Sequence, residues 1–184
     1  LSKSMSNRAL IINALTPGAA KLEKVAECDD TDAMREALDS LDADVINIGA
    51  AGTTMRFLTA YFAAKEGVDL ILDGSERMRH RPIKVLVEAL RALGADIDYA
   101  GEEGFPPLRI RGRRLKGGDL TLDSSVSSQY ISALLMVAPT MTEGLKLTFT
   151  GETVSRPYIL MTLKMMEDAG VESEFFDGVV TVRP

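Results

Sequence analysis

The sequence predicts an α/β (α+β) chain built from three related units, the first incomplete, in a single domain spanning residues 1–184. Three observations carry this reading. Helix and strand patterns alternate along the chain, two long stretches read as copies of one another, and three further helices upstream of these patterns begin alike.

The copies are "LILDGSERMRHRPIKVLVEALRALGADIDYAGEEGFPPLRIRG" and "LTFTGETVSRPYILMTLKMMEDAGVESEFFDGVVTVRP". Each reads strand, glycine, polar loop, Arg-Pro, helix, a Gly-Ala or Ala-Gly pair, strand, turn, strand. Pro82 and Pro157 stand at expected helix starts, where the missing N–H of proline costs nothing. Val85, Leu86, Ala89 and Leu90 in one copy, and Ile159, Leu160, Leu163 and Met166 in the other, recur at helical spacing before Gly94 and Gly170. A shorter third version is expected to run from "AAKLEKVAEC" through "TDAMREALDSL" to "DVINI".

The upstream helices are "SNRALIINAL", "TMRFLTAYFA" and "SQYISALLMVA", aligned at Arg8, Arg56 and Gln129. "LSKS" precedes the first, "GAAGT" the second and "SSVSS" the third. If the three units pack about a pseudo-threefold axis, these helix starts converge on one surface. Free N–H groups and the positive end of a helix dipole favour anions there. A serine-rich stretch carrying Ser124, Ser125, Ser127 and Ser128 has more hydroxyls than one helix cap requires. The surplus points to a polyoxygenated anion.

Composition narrows the remaining classes. One cysteine, Cys28, excludes an internal disulfide, and one histidine, His80, leaves no Cys/His zinc set. A net charge of −6 argues against nucleic acid, which binds through basic neutralisation of phosphates. No apolar stretch reaches the roughly 20 residues of a membrane span, and the first residues are not a signal peptide, so the expectation is a cytoplasmic protein without membrane partners.

The motifs "SKSMSNRAL", "GAAGTTMR", "DGSERMRHRPI", "SSQYISALLM" and "SRPY", in this order, resemble the 5-enolpyruvylshikimate-3-phosphate synthase (3-phosphoshikimate 1-carboxyvinyltransferase) family over almost the whole chain. The resemblance implies two globular domains of three βαβαββ units each, with an active site in the cleft between them. It also implies transfer of the enolpyruvyl group of phosphoenolpyruvate to the 5-hydroxyl of shikimate 3-phosphate, with release of phosphate and no metal or other cofactor. The reaction belongs to the shikimate pathway of aromatic amino-acid biosynthesis, and the family is the target of glyphosate, which occupies the phosphoenolpyruvate position. On this reading the chain is the shikimate-3-phosphate-binding half. The second domain, which carries the proton-transfer carboxylates, is its missing partner, so the fragment is expected to bind substrate and to be inactive alone.

Residue by residue, the resemblance implies that Lys3 is catalytic and contacts phosphoenolpyruvate, that Ser4 contacts the shikimate phosphate, and that Arg8 binds the shikimate part. A lysine brings a mobile point charge and an arginine a planar fork, both suited to anions. Gly52 and Thr53 are expected against phosphoenolpyruvate, with Arg56 supporting their loop. Ala50 stands where the family usually has asparagine, which removes a side-chain amide. Arg77 is expected on the phosphoenolpyruvate phosphate or carboxylate, ahead of Arg79 and Arg81. Ser127, Ser128, Gln129, Ser155 and Tyr158 match residues that bind the phosphate and hydroxyls of shikimate 3-phosphate, and Arg156 adds charge nearby. His80 reads as an exposed loop residue. Cys28 reads as a small packed side chain, and the stripe Ile131, Leu134, Leu135 and Val137 as core. The alternatives are a domain of UDP-N-acetylglucosamine enolpyruvyltransferase, which shares fold and chemistry, and a non-catalytic anion-binding module.

Overall fold

The computed structural model describes residues 2–20, 22, 24–151 and 156–184. Two four-stranded mixed sheets carry the strands. The first, in the order β1 (Val45–Asn47), β2 (Asp69–Asp73), β4 (Leu108–Arg111), β3 (Asp96–Tyr99), pairs β1 and β2 in parallel and the others antiparallel. The second, in the order β5 (Gly118–Asp123), β6 (Leu145–Thr150), β8 (Val179–Val182), β7 (Ser173–Phe176), repeats that pattern. With α3 (Gly52–Ala64) and α4 (Lys84–Ala92) between the strands of the first sheet, and α5 (Ser128–Val137) and α6 (Arg156–Asp168) between those of the second, both segments read βαβαββ.

The expected first unit is reduced to α1 (Lys3–Leu15) and α2 (Asp29–Leu38). "DVINI" does not close it. Its strand β1 pairs in parallel with β2 and so opens the second unit. Where α4 and α6 each lead into an antiparallel hairpin, α2 leads through residues 39–44 straight into β1.

Residue pattern explains which helices lie inside. α4 buries Leu86, Val87, Ala89 and Leu90 and exposes Lys84, Val85, Glu88 and Arg91, the one-sided stripe of an outer helix. In α3 the residues from Phe57 to Ala63 are all buried, and in α5 those from Ile131 to Val137. A helix apolar nearly all round must have neighbours on every side. Accordingly α1, α3 and α5 touch one another pairwise, with α2 against α1 and α3, and α6 against α1 and α5. Phe57, Leu58 and Phe62 are at most 1% exposed, and burying each contributes roughly 1.5–3 kcal/mol. The outer helices α4 and α6 are each followed by a glycine in the left-handed region, Gly94 at φ +110° and Gly170 at φ +94°, a conformation other residues rarely adopt. No helix among the described residues is long and apolar enough to cross a membrane.

Candidate functional site

The glycine loop and the arginine loop meet backbone to backbone. Ser75 N–H donates to the Gly49 carbonyl at 2.9 Å, and a side chain at Gly74 would lie 2.8 Å from that same oxygen. The contact fixes the arginine loop beside the start of α3. The N-terminus of α1 is capped by Ser2, whose hydroxyl accepts from Met5 N–H at 3.2 Å, and that of α5 by Ser127, which accepts from Gln129 N–H at 3.2 Å. At α3 the cap position is Ala51, which has no side-chain acceptor, so its first-turn N–H groups stay open toward the loops. Beside it lies a cavity of about 270 Å³ lined by Ala50, Ser75, Arg77, Met78 and Arg81. The guanidinium of Arg81 rests on Gly52, so close that a β-carbon there would clash with Nη1.

The three arginines of this loop divide into two kinds. Arg79 binds Asp73 through Nε at 3.0 Å and Nη2 at 2.7 Å. That hydrogen bond, reinforced by Gly74 N–H, holds the Asp73 carboxyl below the usual aspartate range against the opposing effect of burial. Arg79 therefore braces the loop. Among the described residues Arg77 and Arg81 have no carboxylate within ion-pair distance, and neither do Arg8 and Arg56. A cavity combining two unpaired guanidiniums with an uncapped helix start offers the electrostatics that small anions favour.

From Gly52 the contacts run on to α5. Gln129 Nε2 donates to Thr53 Oγ1 at 2.8 Å, and its carbonyl accepts from Arg56 Nη1. Arg56 Cζ lies 5.5 Å from the Tyr130 ring centroid, and the Tyr130 hydroxyl donates to the Pro82 carbonyl at 2.8 Å. Ser128 is the first residue of α5. Arg77, Gly52, Thr53, Ser127, Ser128 and Gln129 thus belong to one continuous set of neighbours.

Arg8 is placed differently from a surface ligand residue. It is 2% exposed. Its Nε donates to Thr162 Oγ1 at 2.8 Å, its Nη1 to Ser4 Oγ at 2.7 Å and to the Ser4 carbonyl at 3.1 Å, and its Nη2 to Ser132 Oγ at 2.8 Å. Phe57 and Tyr158 offer ring faces at 5.4 and 5.6 Å. Burial pulls this guanidinium below the ordinary arginine value, with Tyr158 opposing, and among the described residues no carboxylate lies within ion-pair distance of it. Among the described residues, only one of its five N–H groups, on Nη2, lacks a partner. Two expected ligand residues, Ser4 and Arg8, are therefore bonded to each other, and Tyr158 flanks them.

Lys3 Nζ pairs with Asp30 Oδ2 at 2.9 Å. Ser155 lies outside the described residues. Arg156 sits over the Phe175 ring, with Cζ 4.8 Å from the centroid. His80 is exposed and 3.2 Å from Glu76. Cys28 is the half-buried residue preceding α2, with Sγ 3.4 Å from Thr31 Oγ1, rather than a packed core side chain. The structure adds Arg81, Tyr130, Ser132 and Thr162 to the expected set. Ser132 and Thr162 carried a readable signal, since each puts a hydroxyl on the otherwise apolar buried face of its helix.

The described residues thus bring the glycine loop, the arginine loop and the start of α5 together, backed by two repeated βαβαββ units. The chain matches the family EPSP synthase (3-phosphoshikimate 1-carboxyvinyltransferase) over residues 1–48 and 42–175, and it belongs to that family. It is 56% identical over 174 residues to a 3-phosphoshikimate 1-carboxyvinyltransferase of Bacteroides fragilis, covering 95% of this chain and 42% of that protein. An enzyme of the same name from Haemophilus influenzae is 42% identical over 200 residues, covering 94% of this chain and 46% of the relative. The EPSP synthase structure from Acinetobacter baumannii superimposes with a TM-score of 0.83 at 22% identity, over 99% of this chain and 46% of that one, which shows the fold. This chain thus spans less than half the length of the relatives it matches. The two family matches overlap at 42–48, just where α2 passes into β1 without a hairpin.

Proposed function

We propose that this chain is the shikimate-3-phosphate-binding half of a two-domain enolpyruvyl transferase. In the complete enzyme it takes part in moving the enolpyruvyl group of phosphoenolpyruvate to the 5-hydroxyl of shikimate 3-phosphate, with release of phosphate. The observation that carries this reading is the cavity of Ala50, Ser75, Arg77, Met78 and Arg81 beside the uncapped start of α3, contiguous through Thr53 and Gln129 with the serine-rich start of α5. At about 270 Å³ it suits a small acid better than a drug-sized ligand. Arg77, Arg81 and the α3 N–H groups hold phosphoenolpyruvate, and Lys3 brings a further positive charge to the entrance. Ser127, Ser128, Gln129 and Ser155 take the phosphate and hydroxyls of the second substrate, with Ser4, Arg8 and Tyr158 at its shikimate end.

The reaction is an addition followed by an elimination. The substrate hydroxyl attacks the central carbon of phosphoenolpyruvate while its methylene carbon is protonated, and loss of a proton and of phosphate from the tetrahedral intermediate restores the double bond. This chain contributes fixed positive charge and orientation, which stabilise the anionic intermediate. The acid and base come from the second domain, and closure of the two excludes water. The cytosol is the compartment this reading implies.

Calorimetry of the chain with shikimate 3-phosphate should show weak saturable binding, and phosphate release from phosphoenolpyruvate should be absent. In the full-length protein phosphate release should require both substrates. Turnover by the 184-residue chain alone, or no binding at millimolar ligand, would count against the proposal.

A further inference from the structure

The structure assigns Tyr130 as a positioning residue that holds the arginine loop over the start of α3. This rests on the reading of that cavity as the phosphoenolpyruvate side of the site. The loop is anchored at its front by Ser75 N–H on the Gly49 carbonyl and by the Asp73–Arg79 pair, and at its rear by Ile83 N–H on the Gly104 carbonyl. Arg81 and Pro82, between those anchors, are gripped from α5 through one bond, the Tyr130 hydroxyl to the Pro82 carbonyl at 2.8 Å. Arg81 is the residue whose guanidinium lies on Gly52 and lines the cavity with Arg77. Releasing Pro82 therefore moves a cavity wall.

The ring of Tyr130 does a second job. It stacks under Arg56, which donates to Gln129, which in turn donates to Thr53. One residue thus supports the Arg81 wall of the cavity through its hydroxyl and, through its ring, the neighbouring Arg56–Gln129–Thr53 contacts. These two roles separate by chemistry. Tyr130→Phe removes the hydroxyl and keeps the ring, whereas Tyr130→Ala removes both.

In the full-length enzyme Tyr130→Phe should raise the KM for phosphoenolpyruvate by about 2- to 10-fold, the range one neutral hydrogen bond supports. The KM for shikimate 3-phosphate should change by less than about twofold, and the melting temperature should stay close to that of the parent. Tyr130→Ala, which also frees Arg56 and Gln129, should raise both KM values. A merely structural Tyr130 would lower stability and shift both substrates together already in the phenylalanine variant, and that result overturns the assignment. So does an unchanged phosphoenolpyruvate KM in Tyr130→Phe. Failure of the underlying reading looks different, because the parent enzyme itself would then show no saturable use of the two substrates.

Discussion

Lys3 and Asp30 join the entry of α1 to the first turn of α2 through an ion pair of 2.9 Å. The pair uses the residue expected to meet phosphoenolpyruvate. Its hydrogen bond to Asp30 raises the Lys3 ammonium above the ordinary lysine value, with burial opposing. A raised value on a base means that the stabilisation is fully present at neutral pH and is lost only as pH climbs through the folded-state value, above the ordinary 10.5. The lysine side chain is 57% exposed, so solvent screens the pair and its worth is less than about 1 kcal/mol. Asp30→Asn should therefore leave stability nearly unchanged and bring the Lys3 titration, followed by NMR, down toward the ordinary lysine value.

The brace inside the arginine loop gives an acid-side signature. Asp73 titrates below its usual value because Arg79 and the Gly74 N–H bond its charged form. Its contribution to stability is present above the unfolded carboxylate range near about 3.9 and disappears as pH falls through the lower folded value. Arg79→Met should lower the melting temperature at pH 7, and the gap to the parent should close as the pH approaches 3. Arg77→Met should leave the melting temperature alone at both ends of that range and weaken phosphoenolpyruvate binding instead.

Arg8 should separate stability from binding. Two of its three hydroxyl partners remain bonded without it, because Ser132 and Thr162 lie 3.1 Å apart and Thr162 also donates to the Tyr158 carbonyl at 2.8 Å. Removing a buried charge that has no internal counter-charge relieves a desolvation cost. Arg8→Met should accordingly keep or raise the stability measured by denaturant titration. The same variant should lose on the order of 1.5–3 kcal/mol of shikimate 3-phosphate affinity, the value of a hydrogen bond to a charged group.

At Gly52 the neighbour decides the outcome. A methyl group there displaces the end of the Arg81 side chain, which is flexible, so Gly52→Ala should fold normally and gain up to about 1 kcal/mol from the lost glycine entropy. In the full-length enzyme it should weaken glyphosate and phosphoenolpyruvate more than shikimate 3-phosphate. Part of that loss passes through Arg81, and in an Arg81→Ala background the added methyl should cost less, a non-additivity that a double-mutant cycle reads directly.

The two full repeats were legible because glycine, Arg-Pro and helical spacing recur in both, and each fixes local geometry whatever the rest of the chain does. The strand in "DVINI" was legible as a strand but not in its membership, since strand pairing is settled by partners distant in sequence. Likewise three of the motifs named loops that the structure joins: the glycine loop, the arginine loop and the start of α5. They could not tell Arg79 from Arg81, because that distinction depends on which guanidinium reaches Asp73 and which reaches Gly52. Nor could spacing along α1 reveal that Arg8 turns inward to the hydroxyls of α5 and α6.

The inward turn of Arg8 implies that the two ends of the half-site answer ionic strength differently. Mobile salt ions reach the cavity of Arg77 and Arg81, and at physiological ionic strength they screen exposed charges beyond about 8 Å. A guanidinium that is 2% exposed and walled by Phe57, Tyr158 and three hydroxyls is screened much less. Raising potassium chloride should therefore erode the attraction for the small three-carbon acid well before it erodes the grip on the ring substrate. The order in which the two ligands are lost along a salt series becomes a map of which charges face the solvent.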